Sequence, residues 1–366
     1  MKFKPKVAIV YLYYWEDLRC VKNMVAAMQE LEYPKELLEL VIVSNFHEEK
    51  TKDFETYLKN VVLPLSGGIL PHITYLPQKE NFCFAGGNNM GAGWAIENKF
   101  DYVFFHNGDG YLAPNAISEL VKVFHDEKVA IAQSLVLLEP QHHLVNTAGN
   151  CFHFLGLGYA SEEGKVAAEL LLPEVREISY ASGAAFMIAV PLIKKYGGWD
   201  SDFFMYHEDL EWSLRLRTYG YKIVLASKSM FYHEYTFATR ARHFFWMERN
   251  RFAVLIMFYK WRTLVLLLPM LLILELGLIV FSIKKGWFDT RKAVYSYWWK
   301  KENRALWFEK RKYIQKHRLV SDRLILKYAV ATIPSQQTQV KNLALTFIGN
   351  PLMVVYYYFL RLIIWW

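Results

Sequence analysis

The chain has 366 residues, enough for one large domain or for a domain with an appendage. Its formal charge of +8, together with an apolar content of 54%, favours contact with an anionic membrane surface and argues against a nucleic-acid partner. Cys20, Cys83 and Cys151 are odd in number and form no CxxC pair, which argues against a zinc site or a disulfide framework and indicates reduced thiols in the cytosol.

Apolar strands and amphipathic helices alternate over the N-terminal third of the chain. The apolar run Val7–Tyr13 predicts a buried strand rather than a signal peptide, because Glu16 and Asp17 follow it at once. Further strands are predicted at Leu40–Ser44, Ile73–Leu76 and 102–106, and helices at Asp17–Glu32, at Phe54–Val61 and from Asn81–Gly91 to Ile96. This alternation predicts an α/β fold with a Rossmann-like, parallel sheet.

The pattern is less regular after residue 114. It predicts a helix at Ala116–Phe124, strands at Val129–Gln133 and Ala184–Val190, a helix from His207 to Tyr219, and short strands at Lys222–Ala226 and Met230–His233. The segment 139–180 contains four scattered glycines and predicts a loop-rich insertion over the sheet.

The composition changes after Arg240, and we divide the chain into a domain at 1–245 and a helical region at 246–366. Thr263–Ile283 and Leu343–Trp366 are long apolar runs, and the segment 284–318 between them carries twelve Lys or Arg residues against three acids. We expect helices that lie in the membrane plane or re-enter it, with basic residues and tryptophans at the headgroups. A two-span hairpin and a buried helix of a large soluble core are the alternatives.

Asn107-Gly108-Asp109 follows the buried strand 102–106 directly. In open α/β sheets, ligands bind beyond the carboxyl ends of the strands, so a carboxylate between glycines can approach a metal ion or a phosphate there. Taken alone, the stretch fits a simple turn capped by Asp109 equally well.

Two other stretches contain candidate functional groups. Asn81–Asn89 is glycine-rich and opens a helix, so its backbone N–H groups can face an anion, although it contains neither GxGxxG nor GK[ST]; a helix-capping turn is the alternative. Glu208 and Asp209 begin a helix whose dipole favours ionised carboxylates, and a plain helix cap is the alternative there.

In their order and spacing, these motifs resemble the family 2 glycosyltransferases, inverting enzymes with the GT-A fold, and among them the rhamnosyltransferase-like subgroup. The residues that carry the resemblance are Asn81–Asn89, Asn107–Asp109, Ser182–Ala185, Gly197–Asp200, Phe203–Arg217, Gly220–Lys222 and Tyr232–His233. The resemblance covers residues 5–250. It implies a GT-A fold with a Rossmann-like, mostly parallel sheet, a nucleotide-sugar donor, and a lipid-linked or polysaccharide acceptor.

The resemblance also implies roles for individual residues. Asn107 and Asp109 stand where the family has its DxD motif, which binds Mg²⁺ or Mn²⁺ and the diphosphate of the donor, and Asp109 would ligate the ion directly. His233 would be a further ligand of the ion. Asp209 would be the catalytic base.

The nucleobase would lie against the ends of the first two strands. Tyr13 would stack on it, and Ser44-Asn45 stands where the family usually has Asp-Asn. The glycine-rich residues Asn81, Gly86, Gly87 and Asn88 complete the expected donor site.

We therefore expect a membrane-associated glycosyltransferase at the cytoplasmic face of the cell membrane, which transfers a hexosyl or deoxyhexosyl group. A catalytically inactive glycan-binding or scaffold protein is the main alternative, because Asn107 and Ser44 depart from the family pattern. A nucleotidyltransferase is a second alternative, although Tyr11–Asp17 lacks the basic, glycine-rich signature usual in that class.

Overall fold

A computed structural model of the chain describes residues 4–235, 241–334 and 343–366. The chain folds as two units. The first consists of Met1–Asn150, Ala160–Leu216 and Tyr221–Phe237. The second consists of Cys151–Tyr159, Arg217–Gly220 and Ala238–Trp366.

Strands and helices alternate in the N-terminal part of the first unit. They are β1 Val7–Tyr13, α1 Leu18–Gln29, β2 Leu38–Ser44, α2 Thr51–Tyr57, β3 His72–Pro77, α3 Cys83–Glu97 and β4 Tyr102–Asn107. Each of these elements overlaps a predicted one, because the apolar runs that predicted the strands are buried on both faces of a sheet.

The elements that follow are shorter. They are β5 Gly110–Leu112, α4 Ala116–Val123, β6 Val129–Leu138, β7 Val145–Thr147, β8 Asn150–His153, β9 Gly158–Ala160, β10 Val175–Glu177, β11 Ala185–Ala189, α5 Val190–Tyr196, α6 Glu208–Thr218 and β12 Lys222–His233. The segment 139–180 thus contains four short strands instead of only irregular structure. The two strands predicted near residue 230 are one strand, β12, whose pairing with β6 shifts register between Ala226 and Met230, where polar residues interrupt the apolar pattern.

The main sheet has the strand order β10-β12-β6-β11-β4-β1-β2-β3, with β5 paired to β12 and β7 paired to β6. Strands β3, β2, β1 and β4 are parallel, as are β6 and β12, and β11 runs antiparallel between β4 and β6. The fold is therefore mixed α/β with a mostly parallel sheet, as the sequence predicted. The antiparallel strand β11 could not be recognised from its apolar pattern, which is the same for both directions.

Alternate residues of β1 enter two apolar cores, one on each face of the sheet. Ile9 and Tyr11 pack with residues of α1, α2 and α4, while Ala8 and Val10 pack with residues of α3, α5 and α6. Helices on both faces bury β1, β2 and the middle of β4, so a ligand can approach these strands at their carboxyl ends.

The second unit is helical. Its elements include α7 Ala241–Phe258, α8 Trp261–Lys284, α9 Phe288–Trp299, α10 Lys301–His317, α11 Asp322–Tyr328, β13 Ala329–Val330 and α12 Asn350–Ile363. β13 pairs with β8 in a small three-stranded sheet, β13-β8-β9. Within the described residues, Trp261–Lys284 and Leu345–Ile363 are long and apolar enough to cross a membrane, by length and composition alone, and only 17% of each apolar window is buried.

Candidate functional site

The ends of several strands meet at one edge of the main sheet. β1 and β4 run parallel, with Leu12 opposite Asn107. β11 runs the other way and begins at the same edge, with Ala185 opposite His106. The backbone N–H of Asn107 donates to the carbonyl of Ala184 at 2.9 Å, so the residues before β11 lie directly beside the turn that follows β4.

Asn107, Asp109 and His233 form one cluster at this edge. His233 Nε2 lies 2.8 Å from Asp109 Oδ1, and the Asn107 amide donates to the same carboxylate oxygen at 2.6 Å. His233 is buried, whereas 37% of the Asp109 side chain is exposed. Burial alone would raise the pKa of Asp109, but the charge and hydrogen bond of His233 outweigh it and hold that pKa below its usual range.

Both ring nitrogens of His233 face oxygen atoms. Nδ1 lies 2.9 Å from Asn146 Oδ1, and Nε2 lies beside Asp109. An amide oxygen only accepts hydrogen bonds, so Asn146 keeps a proton on Nδ1, and Nε2 is the nitrogen that faces the Asp109 carboxylate. A histidine with its proton on Nδ1 can ligate a metal ion through Nε2 when Nε2 itself carries no proton.

Close packing explains the two glycines on either side of Asp109. A Cβ atom at Gly108 would lie 2.6 Å from Cδ of Glu16, and one at Gly110 would lie 2.2 Å from Cε1 of Phe231. A hydrogen bond also holds the turn, because the buried Tyr11 hydroxyl donates to the carbonyl of Gly108 at 2.9 Å. The backbone around Asp109 is therefore fixed on both sides.

Glu16 places a second carboxyl group beside this turn. Its Oε2 accepts from the backbone N–H groups of Tyr14 and Trp15, at 2.8 and 3.1 Å. Burial raises the pKa of Glu16 to about 7, and the charge of Asp109 contributes to the rise. Sequence reasoning did not select Glu16, although an acid just after the first strand could have indicated it.

Asp209 lies in the first turn of α6, at the same edge. Its Oδ2 accepts from the backbone N–H of Gly183 at 3.2 Å, and Gly183 adjoins Ala184, which bonds to Asn107. Burial raises the pKa of Asp209 to about 6, and the hydrogen bonds from backbone N–H groups offset part of that rise. Its neighbour Glu208 is buried more deeply, and burial together with the charge of Asp209 raises the pKa of Glu208 to about 8.

The loop that leads into Asp209 has an uncommon backbone. Phe204, Tyr206 and His207 have φ angles of 63°, 64° and 66°, in the left-handed region that side chains other than glycine rarely adopt. Strain of this kind concentrates at functional sites, where the surrounding structure maintains it. Its position, just before a carboxyl group on the ligand-binding edge of the sheet, supports a functional role for Asp209.

The residues expected at the nucleobase are placed differently. The Tyr13 ring is 1% exposed and stacks on Phe54 with 3.8 Å between ring centres, so it offers no free face for a base. Ser44 and Asn45 are also buried, and Asn45 bonds to the backbone of Phe82 and Cys83. In this structure Tyr13 is a core residue and Asn45 supports the start of α3.

The glycine-rich stretch forms part of α3 rather than a loop before it. Gly86, Gly87 and Asn88 lie inside the helix, and Asn81 precedes it, accepting from the backbone N–H of Cys83 at 2.8 Å. A Cβ atom at Gly87 would lie 2.5 Å from Leu12, so this glycine lets the helix pack closely on β1. The stretch therefore opens a helix, as the sequence predicted, and the packing of Gly87 on β1 is a role that the sequence did not predict.

The metal site implied by the resemblance can be compared with the side chains present. Within the described residues, no group of three or more His, Cys, Asp or Glu side chains could hold a metal ion. Asp109 and His233 alone provide one carboxylate and one imidazole. Mg²⁺ and Mn²⁺ are often bound by one or two protein ligands together with substrate phosphates, so this pair fits an ion that is completed by a diphosphate.

Comparison with known proteins identifies the family and the fold of the chain. The model of the glycosyltransferase-like family 2 matches residues 5–254. The chain belongs to this family. It is 25% identical over 149 residues to Agl10 of Haloferax volcanii, a low-salt glycan biosynthesis hexosyltransferase; the match covers 40% of this chain and 46% of the relative, so it spans about half of that protein.

Among solved structures, GalNAc-T7 with UDP, GalNAc and Mn²⁺ matches 71% of this chain and 49% of that one, with a TM-score of 0.54 and 12% identity. At this identity the similarity establishes the fold, which is GT-A.

Proposed function

We propose that this family 2 glycosyltransferase transfers one sugar, with inversion, from a nucleotide-sugar donor to a lipid-linked or polysaccharide acceptor of the cell envelope. One observation supports the proposal most. Asp109, His233 and Asp209 lie along one edge of the sheet, although the strands and the helix that position them are far apart in sequence. Open α/β sheets bind their ligands at this edge.

Asp109 and His233 bind the donor through a divalent cation in this proposal. The two side chains would hold Mg²⁺ or Mn²⁺ together with the diphosphate of the donor, and Asn146 keeps His233 in the ligating tautomer. When bound, the ion would supply positive charge that stabilises the departing nucleoside diphosphate. Asn107 hydrogen-bonds to Asp109 and orients its carboxylate.

Asp209 is the general base in this proposal. It accepts the proton of the acceptor hydroxyl while the acceptor oxygen forms a bond to the anomeric carbon and the bond from that carbon to the diphosphate oxygen breaks. A raised pKa makes the carboxylate a stronger base, and a value of about 6 leaves it ionised at neutral pH. Burial and the charge of Asp209 raise the pKa of Glu208 above that of Asp209, which favours the proton on Glu208 and the negative charge on Asp209.

The donor sugar is a hexose or a deoxyhexose. The relative in Haloferax volcanii is a hexosyltransferase, which supports a hexose, whereas the motif pattern resembles the rhamnosyltransferase-like subgroup. The nucleobase contact is assigned to exposed aromatic side chains near the ends of β1 and β2, Trp15 and Phe46, because Tyr13 is enclosed in the core. UDP, which GalNAc-T7 binds, is the first nucleotide to test.

The acceptor is proposed to be lipid-linked and presented at the cytoplasmic face of the membrane, where nucleotide sugars occur. Two long apolar helices with mostly exposed surfaces and a strongly basic segment between them support this location.

The proposal is tested with full-length protein in detergent, a panel of radiolabelled UDP-, GDP- and dTDP-sugars, Mn²⁺, and a lipid extract from the producing cells. We expect one donor to label the organic-soluble fraction, and EDTA to abolish the labelling. A catalytically inactive glycan-binding protein, favoured by Asn107 and by the small number of metal ligands, would label nothing with any donor and would contradict the proposal.

A further inference from the structure

Helix α8 has one continuous apolar stripe exposed along its length. Its exposed side chains recur every third or fourth residue, at Val265, Leu268, Leu272, Leu276, Val280 and Ile283, each at least half exposed. This spacing places them on a single helix face, about 27 Å long at 1.5 Å per residue.

Helix α12 lies beside α8 and has a stripe of its own. The Tyr356 hydroxyl donates to the carbonyl of Leu266 at 2.5 Å, and Trp366 Nε1 donates to Thr263 Oγ1 at 2.9 Å. Exposed residues of α12 repeat with the same spacing, at Leu352, Val355, Phe359 and Leu362. Soluble monomers rarely expose apolar patches larger than a few hundred Å², so the exposed stripes of these two helices are expected to contact a membrane or another protein.

A network of ion pairs joins the middle of α8 to helices α7 and α9. Glu275 accepts from Arg291 Nη1 of α9 at 3.0 Å and from the Tyr295 hydroxyl at 2.8 Å, and it pairs with Arg251 of α7. Arg251 is fully buried, and its guanidinium also bonds to Glu248 at 3.0 Å. These ion pairs therefore hold α7, α8 and α9 together around Glu275.

Charged side chains on the surface of α9 argue against a position of α8 across the bilayer. Asp289 is 93% exposed and pairs with Lys292, which is 58% exposed, and both flank Arg291 on α9. If α8 crossed the bilayer, Glu275 would lie roughly 21 Å along it, and the charges of α9 at that level would face acyl chains. Charged side chains are costly in the bilayer core, so lipid can cover the stripe side of α8 but not the side with α9.

We propose that α8 and α12 form an in-plane membrane surface whose apolar stripes lie among the acyl chains of one leaflet, and that neither helix crosses the bilayer. The partner is a bilayer with anionic headgroups, because segment 284–318 carries twelve basic residues against three acids, and all the basic side chains except those of Arg291, Arg311 and Arg318 are accessible. Trp261, Trp299 and Trp365 are exposed as well, and aromatic rings favour the headgroup level of a bilayer. This inference rests on the membrane location proposed above, but its tests do not measure sugar transfer.

The first test distinguishes an in-plane helix from a crossing one. Arg262→Cys and Lys285→Cys place a thiol at each end of α8, and both positions are exposed. Sealed membrane vesicles with the cytoplasmic face outward are treated with a membrane-impermeant maleimide, and labelling of the unsubstituted protein, which has three cysteines, is subtracted. We expect both positions to label without detergent. Labelling of one end only after permeabilisation would overturn the in-plane arrangement.

The second test identifies what covers the stripe. Leu272→Asp combined with Leu276→Asp introduces two charges into it, and Leu319→Asp, at a position 79% exposed outside the stripe, is the matched control. Purified proteins are floated with vesicles of phosphatidylglycerol and phosphatidylethanolamine, and nucleotide binding verifies that each variant is folded. We expect the vesicle-bound fraction of the double variant to fall at least tenfold and the control to float like the unsubstituted protein. Undiminished flotation of the double variant, or a detergent-free dimer of the unsubstituted protein in place of vesicle binding, would overturn the proposal.

Discussion

His233 Nε2 lies 2.8 Å from Asp109 Oδ1, although 124 positions separate the two residues in the sequence. The contact follows from strand pairing, since β5 and β12 are antiparallel with Gly110 opposite His233. A carboxylate and an imidazole are thereby fixed together at the ligand-binding edge of the sheet. This arrangement makes specific predictions about metal and donor binding.

Asp109→Ala should abolish cation-dependent binding of a nucleoside diphosphate, because it removes the only carboxylate of the Asp109–His233 pair. Calorimetric titration of UDP in Mn²⁺ and in EDTA measures the effect. Asp126→Ala is the control, since Asp126 pairs with Lys222 at the surface. If the affinity of the Asp109 variant matched that of the unsubstituted protein in both buffers, the metal assignment would be wrong.

Asn146→Ala should weaken Mn²⁺ binding without abolishing it. The substitution removes the oxygen that lies 2.9 Å from His233 Nδ1, and loss of such an orienting group typically lowers metal affinity about 10- to 100-fold. Mn²⁺ affinity, measured by electron paramagnetic resonance in the presence of UDP, gives a readout independent of turnover. A Mn²⁺ affinity equal to that of the unsubstituted protein would show that His233 does not depend on Asn146.

Transfer should rise with pH through the range set by Asp209. Burial raises the pKa of Asp209 to about 6, and a general base works only when deprotonated, so the rate should increase about tenfold per pH unit below that value and level off above about pH 7. The measurement is kcat/KM against pH at saturating Mn²⁺. A rate independent of pH between 5 and 7 would contradict the assignment of Asp209 as the base.

The sequence predicted the parts of the site that depend on local pattern. Asn107-Gly108-Asp109 after a buried strand and Asp209 at the start of a helix both lie where the sequence placed them, because strand ends and helix starts have strong local signals. The sequence could not reveal Asn146 as the partner of His233, since Asn146 belongs to a three-residue strand inside a segment that looked irregular.

The roles of the glycines in α3 were also beyond sequence reasoning. A glycine-rich stretch at a helix start has the same composition whether its backbone faces an anion or a neighbouring strand. Only the fold shows that glycines of α3 pack against β1. Likewise, the burial of Tyr13 depends on Phe54, which stacks on it from α2. Propensity and spacing define elements, whereas such contacts depend on which elements the topology brings together.

Gly91→Ala and Gly93→Ala should change stability in opposite directions. Both lie in α3, but a Cβ atom at Gly91 would lie 2.4 Å from Val10 Cγ1, whereas one at Gly93 would have no atom within 4 Å. Overpacking should destabilise the first variant by about 1–3 kcal/mol, and the better helix former should stabilise the second by about 0.5–1 kcal/mol. Thermal unfolding midpoints in detergent compare the two, and a loss of stability in both variants alike would contradict the packing role of Gly91.

In our proposal, Asp209 acts as the base in a site whose donor is held separately by Asp109 and His233. Side-by-side measurements of UDP affinity and sugar transfer, for Asp209→Asn and for the unsubstituted protein, test this division of roles with the donor that the panel of nucleotide sugars identifies. We expect unchanged UDP affinity in Mn²⁺ and a loss of transfer of about 10²–10⁴-fold, the usual effect of removing a general base. Near-normal transfer by the variant would show that Asp209 is only a helix cap.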